Sequence, residues 1–235
     1  MEENLTDTKK KPSAECVACE IPTGGKICFS ENGQGSKGCP TLLQESLLEE
    51  TRVIYEDPEV FEFAKKASIQ EGECYINKIE NPFVLEPTKT RITEIYEFAH
   101  KMGYKRLGLA FCIGLANEAA IVDNILKNNG FEVVSVACKA GRALKEELDI
   151  EPEDFVMPIL KEAMCNPILQ AKLFNAEKTE FNILLGLCVG HDSLFFKYAD
   201  AYTTVLAVKD RVTGHNPLAA IYLSKSYYGK VMQKT

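Results

Sequence analysis

Short apolar runs alternate with amphipathic segments over the second half of the chain. The apolar runs have strand length and end at polar residues or glycine, and they cover residues 105–112, 131–138, 181–187 and 203–208. Runs of this kind are typical of parallel strands that are buried on both faces. Segments with helical spacing lie between them, at residues 115–129, 168–177 and 192–199. The pattern predicts an α/β fold, in which a small parallel sheet of about four strands is flanked by helices.

The segment before the predicted sheet is helical in pattern. Apolar residues recur at helical spacing from Thr41, from Pro58 to about Gln70, and from Thr90 to Met102, where a glycine is placed to end the helix. The predicted organisation is a flexible tail at residues 1–14, a cysteine-rich module at 15–40, a helical connector at 41–103, an α/β domain at 104–222 and a C-terminal tail at 223–235.

Glycine and cysteine are concentrated in residues 15–40. The four cysteines there are Cys16, Cys19, Cys28 and Cys39. A glycine-rich segment buries little apolar surface and needs another source of stability, which four thiolates on one zinc ion would supply. The sequence therefore predicts a metal site with these cysteines as ligands. An iron–sulfur cluster also suits four cysteines, and incidental thiols in a flexible segment are the alternative without a metal.

Cysteines also stand at the ends of the predicted strands. Cys112, Cys138 and Cys188 each end or follow a strand, and Cys165 precedes the Asn-Pro pair of a predicted helix start. Neighbouring strands are about 5 Å apart, and the carboxyl ends of parallel strands share one edge. We therefore expect these thiols to lie close together. The alternative is that each packs in the core as a small hydrophobic residue.

Two chemistries suit such a cluster of thiols. In the first, Cys112, Cys138, Cys165 and Cys188 bind zinc or an iron–sulfur cluster, together with His191 and also His215. In the second, Cys188 is a nucleophile or redox thiol whose pKa is lowered by the N-terminus of the following helix, and His191 is its base. The first predicts a metal-binding protein, and the second a metal-independent thiol enzyme or redox protein.

The same edge carries glycines and cations that suit a small anionic ligand. Gly114, Gly141 and Gly190 would allow the backbone to approach the ligand, while Lys139 and Arg211 would supply positive charge. A solvated basic rim is the alternative. The sequence contains neither a P-loop nor a dinucleotide-binding fingerprint, so a nucleotide site of those kinds is not predicted.

Composition narrows the class of protein. The 235 residues contain nine cysteines, and the N-terminus lacks the apolar core of a signal peptide. We therefore expect a cytoplasmic protein with reduced thiols instead of disulfides. No apolar run is long enough to span a membrane. The formal net charge of −7 disfavours nonspecific nucleic-acid binding. Oligomeric state is left open.

Five sequence blocks carry a family resemblance. They read AFCIGLANEA, VVSVACKAG, MCNPILQAKLFN, LLGLCVGHDSLFFKYADA and VLAVKDRVTGHNPLAAIY. They are similar to blocks of a cysteine-rich family of unknown function, whose members are labelled metal-binding or zinc-binding proteins and come largely from anaerobic bacteria and archaea. The resemblance extends from the N-terminal cysteines to the region of Tyr222. It implies a bound metal and no particular reaction.

Overall fold

The computed structural model describes residues 13–80, 84–158 and 161–234. The predicted tail at residues 1–14 lies outside the described residues, apart from Ser13 and Ala14. The chain forms two compact units, Met1–Lys65 and Lys66–Thr235. Within the described ranges, no helix has both the length and the apolar composition needed to cross a membrane.

The first unit contains the cysteine-rich segment. Its short helices are the 3-10 helices Cys16–Ala18 and Thr23–Gly25, followed by α1 (Pro40–Leu43) and α2 (Glu45–Ile54). Between them, the Ile27 N–H donates to the Gln34 carbonyl at 3.0 Å, and the Gln34 N–H donates to the Gly25 carbonyl at 2.8 Å. These bonds fold the glycine-rich part back on itself, which explains how a segment with so little apolar content holds a defined path.

Helices and strands alternate through the rest of the chain. In order they are α3 (Pro58–Glu73), β1 (Tyr75–Ile76), β2 (Glu86–Pro87), α4 (Arg91–Lys101), β3 (Arg106–Phe111), α5 (Ala116–Asn128), β4 (Glu132–Ala137), α6 (Pro167–Ala176), β5 (Phe181–Leu187), α7 (His191–Tyr198), β6 (Thr203–Val208) and α8 (Leu218–Tyr222). Strands β1 and β2 form a two-stranded antiparallel pair.

The main sheet has four parallel strands in the order β4-β3-β5-β6. Phe111 at the end of β3 lies opposite Ala137 of β4 and Leu185 of β5, and Leu187 lies opposite Val208 of β6. The strands therefore end at a common edge. The predicted α/β fold with a small parallel sheet flanked by helices is confirmed.

Strand β5 lies inside the sheet, and all seven of its residues are buried. This burial accounts for its uninterrupted apolar sequence. Helices α6 and α7 pack over the sheet, where the rings of Phe174 and Phe195 meet edge to face with their centroids 5.8 Å apart. Both rings belong to one core cluster with Ala110 of β3 and Leu184 of β5. The core thus fixes α6 against the strands whose ends carry cysteines.

Three short elements were not predicted from the sequence. They are β1, β2 and α8, and each spans two to five residues. Elements of this length contain too few residues to show a period of 2 or 3.6. A further short element, the 3-10 helix Lys145–Leu148, lies between β4 and α6.

Candidate functional site

Four cysteines meet at the carboxyl edge of the sheet. Cys112 follows β3, Cys138 follows β4 and Cys188 follows β5, while Cys165 stands two residues before α6. The backbone ladder continues one residue past the strands, because the Cys112 N–H donates to Leu185 O at 3.0 Å and the Cys138 N–H donates to Phe111 O at 2.8 Å. These bonds fix the positions from which the two thiols project.

The topology of the sheet makes this edge a natural ligand site. From β3 the chain crosses outward to β4 on one side, and from β5 it crosses to β6 on the other side. Adjacent strands whose connections diverge in this way leave a crevice beyond their carboxyl ends, where open α/β sheets bind ligands. Cys112 and Cys188 stand at the two sides of that crevice.

The loop before α6 places Cys165 beside Cys138. The Asn166 N–H donates to Cys138 O at 2.8 Å. The Asn166 side chain caps α6 by accepting from the Leu169 N–H at 2.9 Å, and Pro167 fills the first helical position. As a result, the sulfur atoms of Cys138 and Cys165 are 3.6 Å apart.

A buried glutamine on α6 ties the strand ends together from behind. Gln170 is fully buried, and its Nε2 donates to Val136 O at 2.7 Å and to Phe111 O at 3.4 Å. These carbonyls belong to β4 and β3, close to the points where Cys138 and Cys112 leave the sheet. Gln170 therefore holds both strand ends in register with α6.

Strand β5 carries an irregularity that lets the Cys112 turn approach it. Gly186 has a positive φ of 69° and lies where the pairing between β5 and β6 shifts. A Cβ at this position would lie 2.2 Å from Leu115 Cδ1 and 3.8 Å from Cys112 Cβ. Only glycine satisfies both the backbone angle and the close contact.

The thiols also receive hydrogen bonds from their surroundings. The Ile113 N–H donates to Cys138 Sγ at 3.4 Å, and Arg211 Nη2 donates to Cys188 Sγ at 3.3 Å.

The close contact between the two sulfurs shifts the pKa values of Cys138 and Cys165 in opposite directions. The hydrogen bond from Cys138 lowers the pKa of Cys165 to about 7, against the effect of burial, and the charge of Lys139 lowers it further. The same hydrogen bond and burial raise the pKa of Cys138 well above its usual range. The two thiols therefore differ in acidity, and Cys165 is the more acidic of the pair.

A cavity of about 630 Å³ opens beside the thiols. All four cysteines and His191 line it, and so do five cationic side chains, which are Lys139, Lys145, Lys161, Lys209 and Arg211. Glu162 is the one carboxylate among the described residues that line this cavity. The lining also includes an apolar wall, formed in part by Leu148, Ile150, Val156 and Met157.

Glu162 organises the wall of the cavity. Burial raises the pKa of its carboxyl, but hydrogen bonds from the Met157 and Val156 N–H groups and from Lys145 outweigh burial, so the pKa of Glu162 is lowered. The two backbone bonds are 3.2 Å and 2.8 Å long. Lys139 Nζ lies 3.5 Å and Lys145 Nζ 3.3 Å from the carboxylate. Glu162 thus stays ionised and joins both sides of the loop.

The residues predicted for an anion pocket at this edge divide into two groups. Gly114, Lys139 and Arg211 line the cavity, whereas Gly141 and Gly190 are not among its lining residues. Both glycines have positive φ, 84° and 83°, and Gly190 directly precedes α7. Their role is to allow these turns, since other residues rarely adopt such angles.

His215 is likewise not among the lining residues. Its Nδ1 lies 3.1 Å from Val208 O and 3.2 Å from the Asp210 nitrogen, which donates to it. The ring is therefore engaged with the backbone that follows β6, and it orders that turn. Of the two histidines predicted as ligands, the structure brings only His191 to the thiols.

The N-terminal cysteines differ widely in exposure. Cys16 and Cys28 are exposed, Cys19 is half-buried and Cys39 is buried. A hydrogen bond from the Ile21 backbone lowers the pKa of Cys19. Across residues 13–80, 84–158 and 161–234, no three His, Cys, Asp or Glu side chains stand close enough together to hold a metal ion without moving.

Part of the cavity was not anticipated from the sequence. Lys145, Lys161 and Met157 belong to an irregular segment between β4 and α6 that has no periodic pattern. The available signal was indirect: two lysines flank a proline-broken stretch that must lie near the strand ends, because Cys138 and Cys165 mark its two ends. The number of residues between Cys138 and Cys165 gave no information about the apolar wall of the cavity.

Comparison with known proteins shows similarity to one sequence family and to an archaeal protein. Residues 39–206 match the sequence family described as "Protein of unknown function (DUF1847)". An uncharacterized protein of Methanocaldococcus jannaschii is 39% identical over 208 residues, which cover 88% of this chain and 95% of that protein. No solved structure matches the chain. The family match includes the four cysteines that line the cavity.

Proposed function

Because the chain belongs to the DUF1847 family, whose function is unknown, we propose a function from the cysteine cavity itself. We propose that the protein binds a soft metal centre, either zinc or an iron–sulfur cluster, through Cys112, Cys138, Cys165 and Cys188. The expected membership of a family of unknown function is confirmed, whereas the metal label that came with the resemblance stays a prediction. The observation that carries the proposal is the convergence of four thiols on one cavity.

The spacing of the closest pair supports this assignment. Two thiolates on one tetrahedral zinc ion are about 3.8 Å apart, given zinc–sulfur bonds of about 2.3 Å. The sulfurs of Cys138 and Cys165 are 3.6 Å apart, so this pair needs little adjustment to chelate an ion. Recruitment of Cys112 and Cys188 requires side-chain rotation, because no group of three described ligands is assembled as it stands.

The protonation of the pair also suits a metal. Metal binding to cysteine releases protons, and the free energy needed to deprotonate the thiols falls as their pKa values fall. Cys165 has a pKa of about 7, so it offers a thiolate near neutral pH, and the metal must displace the proton held by Cys138. His191 lies at the same cavity, where it would supply a nitrogen donor in place of one of the four thiols, or a base.

We propose the N-terminal cysteines as a second metal site. Cys16 and Cys19 form a C-x-x-C pair, and the Ile21 backbone, two residues beyond Cys19, stabilises the thiolate of that residue. Cys28 and Cys39 would complete the set. A backbone N–H that donates to a cysteine sulfur favours the deprotonated form, which a metal requires.

A thiol enzyme is the second candidate function, and the Cys138–Cys165 pair favours it. In this version the Cys165 thiolate attacks one sulfur of a substrate disulfide and expels the other as a thiolate. Cys138 then gives its proton to the first substrate thiolate and attacks Cys165 Sγ, which releases the second substrate sulfur as a thiolate. Two electrons pass from the pair to the substrate disulfide. The pKa direction assigns the attacking role to Cys165, whereas the sequence had suggested Cys188.

Metal analysis of anaerobically purified protein separates the two functions. Wild type, Cys112→Ser/Cys188→Ser and Cys16→Ser/Cys19→Ser are each reconstituted with zinc, or with ferrous iron and sulfide. We expect each double substitution to remove metal from one site only. Cys74→Ser is the matched control, because Cys74 is a buried thiol that is not among the residues lining the cavity.

Full metal retention in Cys112→Ser/Cys188→Ser would contradict the metal proposal for the sheet edge. In that case the thiol-enzyme function is tested directly. Reduced, metal-free protein is mixed with oxidised glutathione, and mass spectrometry of the digest should find a Cys138–Cys165 disulfide. Absence of that disulfide would reject the second function.

A further inference from the structure

The cavity beside the thiols has more room and more positive charge than a metal centre needs. We infer that it also binds an amphipathic organic anion, whose acidic head group contacts Lys161 and Lys209 and whose apolar part lies against Val156 and Met157. This inference goes beyond the proposed metal site and does not depend on it.

The charge of the cavity is the first argument. The described residues that line it include five cationic side chains and one carboxylate, which leaves four formal positive charges in a chain whose net charge is −7. A zinc ion with four thiolates would carry two negative charges, so two positive charges remain even when the metal site is full. A cavity lined by one sign of charge attracts ligands of the opposite sign.

Three of the cations already have partners at the cavity. Lys139 and Lys145 contact Glu162, and Arg211 contacts Cys188. Lys161 and Lys209 line the same cavity. A phosphate or carboxylate head group bound by these two lysines would supply negative charge to a cavity lining that is positively charged overall.

The size and lining of the cavity argue for an organic ligand instead of a bare inorganic ion. Its volume of about 630 Å³ falls in the range of about 300–1,000 Å³ that is typical of small-molecule sites. The wall that contains Leu148, Ile150, Val156 and Met157 is apolar, and an inorganic ion would leave it uncovered. An apolar group of several carbons would remove it from water.

The wall is a built structure. Leu144 pairs with Ala163 in an antiparallel bridge, the Met164 N–H donates to Ala143 O at 2.8 Å, and the Lys145 N–H donates to Glu162 O at 3.0 Å. The Glu162 carboxylate then accepts hydrogen bonds from the Val156 and Met157 N–H groups. The backbone that carries the apolar side chains is therefore held in place before a ligand arrives, which lowers the entropy cost of binding.

Calorimetric titration with four probes tests the inference. Hexyl phosphate and octanoate carry both parts of the ligand, inorganic phosphate carries only a head group, and 1-hexanol carries only the apolar part. We expect at least one amphipathic anion to bind ten or more times tighter than inorganic phosphate, and 1-hexanol to bind no better than inorganic phosphate. A preference between hexyl phosphate and octanoate identifies the head group, and either preference supports the inference.

Two substitutions separate the contributions of charge and apolar surface. Lys161→Gln/Lys209→Gln should weaken the preferred amphipathic anion at least tenfold. Met157→Ser should weaken the same probe severalfold and leave inorganic phosphate unchanged. Lys225→Gln/Lys230→Gln is the matched control, since it removes the same charge from two exposed lysines outside the lining residues, and it should change neither affinity.

The metal and anion proposals fail independently. Cys112→Ser/Cys188→Ser protein, which is expected to lose the metal, should still bind the preferred amphipathic anion. Equal affinity for that probe and inorganic phosphate, or an unchanged affinity in the Lys161→Gln/Lys209→Gln variant, would overturn the inference. Neither result would affect the metal analysis.

Discussion

The chemistry of the site depends on one pair of residues, Cys138 and Cys165. The hydrogen bond between their sulfurs raises the pKa of Cys138 and lowers the pKa of Cys165, so Cys165 is the more acidic thiol. Sequence spacing identified both residues as strand-edge thiols but gave no reason to pair them, because residues 139–164 separate them without a regular pattern. The pairing results from the hydrogen bond between Asn166 and Cys138, and no sequence period encodes that bond.

Alkylation of the metal-free protein tests the acidity of this pair. The Cys165 thiolate, and with it the rate of reaction with iodoacetamide, should increase as the pH rises through about 7. Cys138→Ala removes the hydrogen-bond donor, so the pKa of Cys165 should return toward about 8.5 and the rate at pH 7 should fall roughly tenfold. The rate is measured by peptide mass spectrometry. An unchanged pH profile in Cys138→Ala would show that the pair does not share its proton in this way.

Gly186 affects both the geometry of the site and the stability of the fold. Gly186→Ala places a Cβ 2.2 Å from Leu115 in a backbone conformation with positive φ, so we expect a loss of at least about 2 kcal/mol of unfolding free energy. Gly72→Ala in helix α3 is the control, because the only heavy atom near its Cβ would be Lys78 Nζ at 3.7 Å. This substitution should raise the free energy of unfolding by roughly 0.5–1 kcal/mol. Urea unfolding measures both. Equal effects would contradict the close packing of the Cys112 turn on β5.

Element by element, the parallel sheet was the most predictable part of the molecule. The apolar run of β5 predicted burial on both faces, and all seven residues are buried. The Asn-Pro pair predicted the start of α6, which begins at Pro167 with Asn166 as its cap. These signals are local, so the sequence carries them directly. The wall between β4 and α6 was not predictable, because it is held by Glu162 through contacts with both sides of the loop.

Helix α6 connects the core to the site through Gln170. Gln170→Leu keeps the apolar bulk and removes the side-chain donor to the Val136 carbonyl, together with the second donor to the Phe111 carbonyl, which still accepts from the Cys138 N–H. We expect a loss of about 1–3 kcal/mol of unfolding free energy, measured by urea unfolding. Zinc affinity should also fall, because the ends of β3 and β4 lose their link to α6. Wild-type stability together with wild-type zinc affinity would contradict this positioning role.

On the scale of the whole molecule, topology and charge indicate the same location. The strand order β4-β3-β5-β6 opens a crevice at the carboxyl ends of β3 and β5, and four cysteines and five cations line the cavity there. The sequence predicted that thiols would gather at this edge, and it named Lys139 and Arg211. It also named Gly141, Gly190 and His215, which the fold uses to form turns. A residue beside a strand end in sequence can still point into a turn, and spacing alone does not distinguish the two cases.

X-ray absorption at the zinc edge tests the central claim most directly. Zinc acts as the probe for any soft metal, and Cys16→Ser/Cys19→Ser protein is used so that the sheet edge is the site observed. We expect a first shell dominated by sulfur at about 2.3 Å, which Cys138→Ser/Cys165→Ser in the same background should abolish. A shell of only nitrogen and oxygen atoms, or a sulfur shell that survives that substitution, would contradict the proposal that these strand-end thiols form a metal centre.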